Sequence, residues 1–131
     1  MAVVFNKHTP NLVVSDLARS LAFYRDVLGF TAIVTVPDEP PFVFALMQRD
    51  GLEVFLNDAG AARQEAGHLS LVPGQSGVSL YFDVHGVHAL LEMIKGKAPV
   101  VMPLERKFYG MTEFAITDPD GYLITFAERL D

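Results

Sequence analysis

The sequence predicts an α+β chain made of two tandem strand–helix–three-strand (βαβββ) modules that share one core. Three observations carry this expectation. Half of the 131 residues are hydrophobic and only 20% are charged, the composition of a folded globular chain and not of a disordered one. Apolar spacing changes from strand-like to helix-like and back, twice and in the same order. Two turn signatures, Asp50-Gly51 and Asp118-Pro119-Asp120-Gly121, each sit between apolar runs. The expected organisation is a single domain over 1–131, with a first module at 8–57, a connector at 58–76 and a second module at 77–131. Each module alone is too small for a good core, so two curved sheets are expected to pair.

The first module opens with an apolar strand from Thr9 to Val14. Ser15-Asp16 then supplies a helix N-cap, and Leu17, Leu21, Tyr24 and Leu28 recur at helical spacing up to Gly29, placed for a left-handed cap. Phe30 to Val36 reads as a strand stopped by Pro37, Pro40 and Pro41; Phe42 to Gln48 and Leu52 to Asn57 follow around Asp50-Gly51. Asp58 to Ser76, rich in Ala, Gly, Gln and Pro, reads as a connector with one helical turn. The second module repeats the order. Val78 to Val84 alternates as a strand, and Val87, Leu90, Leu91 and Ile94 form a helix stripe ending at Gly96. Pro99 to Pro103, Phe108 to Thr117 and Tyr122 to Glu128 supply the remaining strands.

Turn geometry fixes which side chains share a face. A two-residue loop at Asp50-Gly51 sets Arg49 opposite Leu52, Gln48 opposite Glu53, Leu46 opposite Phe55 and Phe44 opposite Asn57. Ala45, Met47, Val54 and Leu56 then pack under a helix. A three-residue loop closed by Gly121 sets Ala115 across from Thr125 and Glu113 across from Ala127, leaving Phe114, Ile116, Ile124 and Phe126 as an apolar opposite face. In the strand from Val78, Ser79, Tyr81 and Asp83 fall on the concave side. That side is expected to carry Phe42, Phe44, Phe55 and Tyr81 with two isolated carboxylates, Glu53 and Glu113. A carboxylate in the middle of an apolar strand costs desolvation unless it meets a cation, a metal or a donor. Tyr109, beside Gly110 in a loop, is a further candidate contact.

Composition narrows the function classes. The net charge is −6, which argues against nucleic acid and anionic membrane surfaces as partners and is compatible with a cationic small molecule. No apolar run approaches the about 18 residues needed to cross a bilayer. No secretory leader is expected, since the first residues lack a basic start followed by an apolar centre. With no cysteine there is no disulfide, thiolate metal site or Cys nucleophile, and a reducing, cytoplasmic setting is the simple expectation. There is no Gly-x-Ser-x-Gly elbow and no phosphate-cradling glycine loop.

The segment from Thr9 through Asp16 to Leu17, the helix continuing from Ser20 to Phe30, and Asp118-Pro119-Asp120-Gly121 before a terminal strand together resemble the vicinal oxygen chelate (VOC) superfamily. That superfamily holds glyoxalase I, extradiol dioxygenases, fosfomycin-resistance enzymes and bleomycin-resistance proteins. The strand from Gly77 to Val84 and the segment from Glu113 to Pro119 are most similar to the bleomycin-resistance-like branch. The resemblance implies a single VOC-type domain whose paired βαβββ modules form a half-open barrel, assembled as a homodimer with clefts at the subunit boundary. It also implies ligand binding of the kind associated with antibiotic resistance.

Metal-dependent members of that superfamily hold a divalent ion with four inward His, Glu or Gln side chains. By resemblance those places fall on Thr9, Glu53, Ser79 (or Val78 if the register slips) and Thr125, so Glu53 alone keeps a ligand-type side chain. One carboxylate with three hydroxyls does not make a high-affinity site for zinc, nickel or iron. The histidines do not replace the missing ligands: His8 alternates to the face opposite Thr9, His68 lies in the connector, and His85 and His88 belong to the start of the second helix. The expectation is therefore a small-molecule binding protein. It would use no cofactor and would sequester a cationic or aromatic ligand between Phe42, Phe44, Phe55, Tyr81 and Tyr109, with Glu53 and Glu113 supplying negative charge. Three non-ligating side chains out of four argue against an enzyme. A metal-dependent lyase or dioxygenase of the glyoxalase type, with a divalent ion at Glu53, is the alternative. A third reading is an interaction module whose cleft is only a dimer seam.

Overall fold

The computed structural model describes residues 2–66 and 72–130. Among them the order is β1 (Asn11–Val14), α1 (Leu17–Asp26), β2 (Thr31–Val36), β3 (Phe44–Arg49), β4 (Leu52–Asp58), α2 (Ala59–Ala66), β5 (Leu80–Asp83), α3 (Val87–Ile94), β6 (Val100–Arg106), β7 (Met111–Thr117) and β8 (Leu123–Arg129). The strands form two four-stranded sheets of matching topology, β1-β4-β3-β2 and β5-β8-β7-β6, and neither closes into a barrel. In each, the first strand pairs in parallel with the last, and the other neighbours are antiparallel.

Local chemistry explains the elements. Asp16 caps α1 by accepting from the Arg19 N–H at 3.1 Å. The face of α1 that carries Leu17, Leu21 and Tyr24 is buried over Ala45, Met47, Val54 and Leu56. Asp50 and Gly51 both take positive φ, 50° and 80°, so the first hairpin is a two-residue turn with the expected pairing of Gln48 with Glu53 and Leu46 with Phe55. The second hairpin closes through Asp118 N–H to Tyr122 C=O and Gly121 N–H to Asp118 C=O, both 3.0 Å, and pairs Glu113 with Ala127 and Ala115 with Thr125.

Several sequence expectations shift. The connector holds an eight-residue helix, α2, and not a single turn; the Asp58 carboxylate accepts from the Ala61 N–H and starts it. β6 runs on through Pro103 to Arg106, because an edge strand interrupted by register shifts tolerates a residue without an N–H. Phe108, Tyr109 and Gly110 form a turn ahead of β7, closed by Gly110 N–H to Lys107 C=O at 3.1 Å. Thr9 and Pro10 precede β1, Phe42 precedes β3, and Ser79 precedes β5.

The modules are joined by the β7–β8 turn. Asp118 is buried, and its carboxylate accepts from the Tyr24 hydroxyl at 3.0 Å and from the N–H groups of Asp120 (2.9 Å) and Tyr122 (3.0 Å). The Tyr122 hydroxyl donates to the Val13 carbonyl at 2.7 Å, and the Asp120 carboxylate takes the Ser15 hydroxyl. The connector crosses this turn at Gly74, where a Cβ would overlap the Asp120 carbonyl oxygen. Apolar contacts continue the joint, with Phe30 of the first module edge-on to Phe82 of the second at 6.3 Å. Burial raises the Asp118 carboxyl above its ordinary value, while the Tyr122 N–H, the Tyr24 hydroxyl and the Asp120 N–H pull it back.

Tyr24→Phe leaves a buried carboxylate short of a donor and is expected to lower the unfolding free energy by about 1–3 kcal/mol in a urea titration; an unchanged midpoint would contradict this. A second expectation concerns α3, whose start is capped from β8: the Glu128 carboxylate accepts from the Gly86 and Val87 N–H groups at 3.0 Å each. Those bonds hold the Glu128 carboxyl below its usual range. Its contribution is therefore complete above the unfolded-state value and is lost as pH falls through the lower folded-state value. Wild type is expected to exceed Glu128→Gln in urea midpoint near neutral pH, with the gap closing in strong acid. A gap independent of pH would contradict that cap.

Candidate functional site

The aromatic and acidic side chains singled out by the sequence, Phe42 apart, fall into one group on each sheet. On the second sheet, three of them meet. Glu113, in the middle strand β7, is 8% exposed. One carboxylate oxygen accepts from the Tyr81 hydroxyl at 2.8 Å and the other from the Tyr109 hydroxyl at 2.6 Å. Tyr81 reaches it from β5 because β8 alone separates the strands: Tyr81 pairs with Thr125, and Ala127 pairs with Glu113. Tyr109 reaches it from the tight turn before β7. Both hydrogen bonds are charge-assisted, the stronger class. Tyr81 remains 54% exposed, so one edge of this cluster faces outward. Phe108, packed edge-on against Tyr109 at 5.1 Å, is an exposed neighbour that no sequence pattern singles out.

On the first sheet, Phe44 and Phe55 meet edge-on with centroids 5.2 Å apart. Glu53 accepts from the Lys7 ammonium at 2.6 Å. Glu53 is the second residue of β4, beside the hairpin turn, and sequence reasoning missed its cation because Lys7 lies 46 residues away in an exposed segment without periodicity. Phe42 does not join this pair. It lies ahead of the β3 ladder, where alternation no longer aims side chains, and it packs part-buried against the hydrophobic core. Among the described residues, no hydrogen bond, ion pair or aromatic contact links the first-sheet group to the second-sheet group.

A cavity of about 660 Å³ opens where the two modules meet, with Thr9, Asn11, Ser79, Tyr81 and Tyr122 in its wall. Thr9 and Ser79 are two of the places where the resemblance implies metal ligands. The donors there are hydroxyls, Thr125 adds another, and the Glu53 carboxylate is engaged by Lys7. Among the described residues, no three His, Asp or Glu side chains stand together as an ion would need. This donor chemistry does not fit a zinc, nickel or iron site. His8 is exposed beside the cavity, His85 stands 3.7 Å from Glu128, His88 is exposed on α3, and His68 lies outside the described residues.

The tyrosines report on Glu113. Desolvation first and the hydrogen bond to Glu113 second push the Tyr81 phenol up to about 12. The Tyr109 phenol is raised chiefly by its bond to the same carboxylate. Glu113→Gln is expected to bring both ring titrations down toward the ordinary tyrosine value of about 10, as read from tyrosine ring resonances on alkaline titration. Unmoved rings would contradict the shared carboxylate.

Comparison with known proteins agrees with this architecture. Residues 7–126 match the model of the Glyoxalase/Bleomycin resistance protein/Dioxygenase superfamily. The chain is 28% identical over 130 residues to a bleomycin resistance protein of Geobacillus stearothermophilus, covering 92% of this chain and 95% of that one, and equally to one of Staphylococcus aureus. Among solved structures, a protein of unknown function from Agrobacterium tumefaciens superposes with a TM-score of 0.79 at 27% identity, covering 98% of each chain. TioX from a Micromonospora species shares the fold with a TM-score of 0.79 at 21% identity, over 96% of this chain and 100% of that one. No helix among the described residues is long and apolar enough to cross a membrane. With the family match spanning nearly the whole chain and both sheets in the matching topology, this protein belongs to the glyoxalase/bleomycin resistance protein/dioxygenase superfamily.

Proposed function

We propose that this chain binds and sequesters a small organic cation with aromatic character, without a metal and without catalysing a reaction. The observation that carries the reading is Glu113, a carboxylate buried in an apolar sheet under two phenols. A cation resting against Tyr81 and Tyr109 would meet the ring faces and, directly behind them, a full negative charge. Phe44, Phe55 and Glu53 offer the same pairing of rings and acid on the other sheet, where an incoming cation would replace Lys7. Lys7 is exposed, and an ion pair of that kind is worth about 0–1 kcal/mol, so its displacement costs little.

A homodimer is part of this proposal. The two groups are unlinked within the chain, and a cleft that sets the first module of one copy against the second module of another would bring them together. The absence of cysteine supports a reducing, cytoplasmic setting. The names of the bleomycin-resistance relatives make bleomycin the first probe. Isothermal titration calorimetry is expected to show saturable binding that weakens by about tenfold in Glu113→Gln, the size of one charge-assisted interaction. Equal affinity of wild type and variant would remove the charge from the account. Stoichiometric zinc, nickel, iron or manganese in dialysed, untagged protein would overturn the metal-free reading.

A further inference from the structure

A second cavity, of about 580 Å³, opens between the β3–β4 hairpin and α3, on the helix-bearing side of the second sheet. We propose that it is a binding site for an uncharged, planar aromatic molecule, separate from the acid-bearing faces and independent of the function proposed for them. Its volume falls within the range of about 300–1,000 Å³ found for small-molecule pockets.

The floor is aromatic. Phe82 stacks on Phe126 with centroids 5.7 Å apart and planes inclined by 14°, and Phe30 meets Phe82 edge-on. A flat ring entering the cavity meets faces and edges already arranged for offset or T-shaped contact. At the mouth, Leu52 and Met93 are 51% and 59% exposed. Two large apolar side chains facing water above an aromatic floor stand to gain from a ligand that covers them.

Each wall belongs to a different module and each is fastened. The hairpin wall is held by Arg49, whose Nη1 donates to the Leu28 carbonyl at 2.6 Å at the end of α1. Gly29 makes room for that contact, since a Cβ there would press on Arg49 Nη1 at 3.0 Å. The opposite wall is held where Glu128 caps α3. Walls fixed before binding reduce the ordering cost that an incoming ligand must offset.

Charge decides the ligand class. On the rim, the Arg49 guanidinium lies 3.3 Å from the Asp50 carboxylate, and the His85 ring stands 3.7 Å from Glu128. A ligand charge lowered onto the floor would lose its hydration and meet only the phenyl rings of Phe30, Phe82 and Phe126 there. The floor therefore selects an uncharged body. Asp83, at the rim, is the acceptor for a hydrogen-bond donor on its edge.

The test uses the full chain and prodan, a neutral fluorescent naphthalene. Prodan is expected to bind saturably with one site per chain and to shift the methyl resonances of Leu28, Leu90 and Met93. Ala89→Trp, at an exposed α3 position in the cavity wall, is expected to weaken binding by about tenfold or more. Non-saturable binding, unchanged affinity in Ala89→Trp, or shifts confined to Leu46 and Leu123 methyls would overturn the proposal. So would a dimer that separates on Met93→Glu, since a second copy would then cover the cavity. Should Ala89→Trp fail to fold, the methyl shifts of the unaltered chain decide between the two outcomes.

Discussion

A buried carboxylate, Asp118, is the contact on which the relation of the two modules depends. The turn that carries it provides two backbone N–H groups for one of its oxygens, and α1 of the other module provides a tyrosine hydroxyl for the second. Burial alone would make this carboxylate costly; three donors offset part of the penalty and make the joint directional. The same turn places the Tyr122 hydroxyl on Val13 and Asp120 on Ser15, so β1 and α1 are both registered against it. The apolar seam of Phe30, Phe82 and Phe126 could slide or rotate without such bonds. With them, the sheets, the seam cavity and the helix-side cavity have one geometry.

Within that frame the protein solves the problem of an acid on an apolar sheet in two ways. Glu113 is covered by phenols contributed by β5 and by the turn before β7, which donate to both of its oxygens. Glu53 instead takes an ammonium from the exposed segment ahead of β1. The first arrangement is built into the sheet and persists; the second is a surface ion pair that exchanges readily with another cation. Glu53 apart, the places where the family resemblance implies metal ligands fall on the hydroxyls of Thr9, Ser79 (or on Val78 if the register slips) and Thr125. The chemistry retained on the concave faces is thus charge and aromatic surface, and the coordinating nitrogens of the metal-dependent members have no counterpart at those positions.

Much of this was legible in the sequence where turns dictate register. Asp50-Gly51 and Asp118-Pro119-Asp120-Gly121 have the backbone preferences of particular hairpins, and every pairing derived from them reappears, with Phe114, Ile116, Ile124 and Phe126 buried as alternation requires. What alternation does not govern was not legible. Phe42 lies ahead of the β3 ladder and packs part-buried against the hydrophobic core, where strand alternation carries no assignment. The connector helix depends on capping by Asp58 in a stretch without a clear apolar stripe. The Lys7–Glu53 and Tyr24–Asp118 pairs span 46 and 94 residues, separations across which local pattern carries no information. Glu128 could be read as a strand-end acid, but its capping of α3 exists only once β8 lies beside β5.

The bonds at Asp118 predict that the chain unfolds as one cooperative unit and not as two modules on a tether. Native-state hydrogen exchange tests this most directly, by comparing the slowest amides of β3 and β4 with those of β7 and β8. Equal opening free energies in the two sheets, falling together when Asp118 is replaced by Ala, are the predicted result. One sheet exchanging at its own lower free energy, with the other untouched by the replacement, would contradict it.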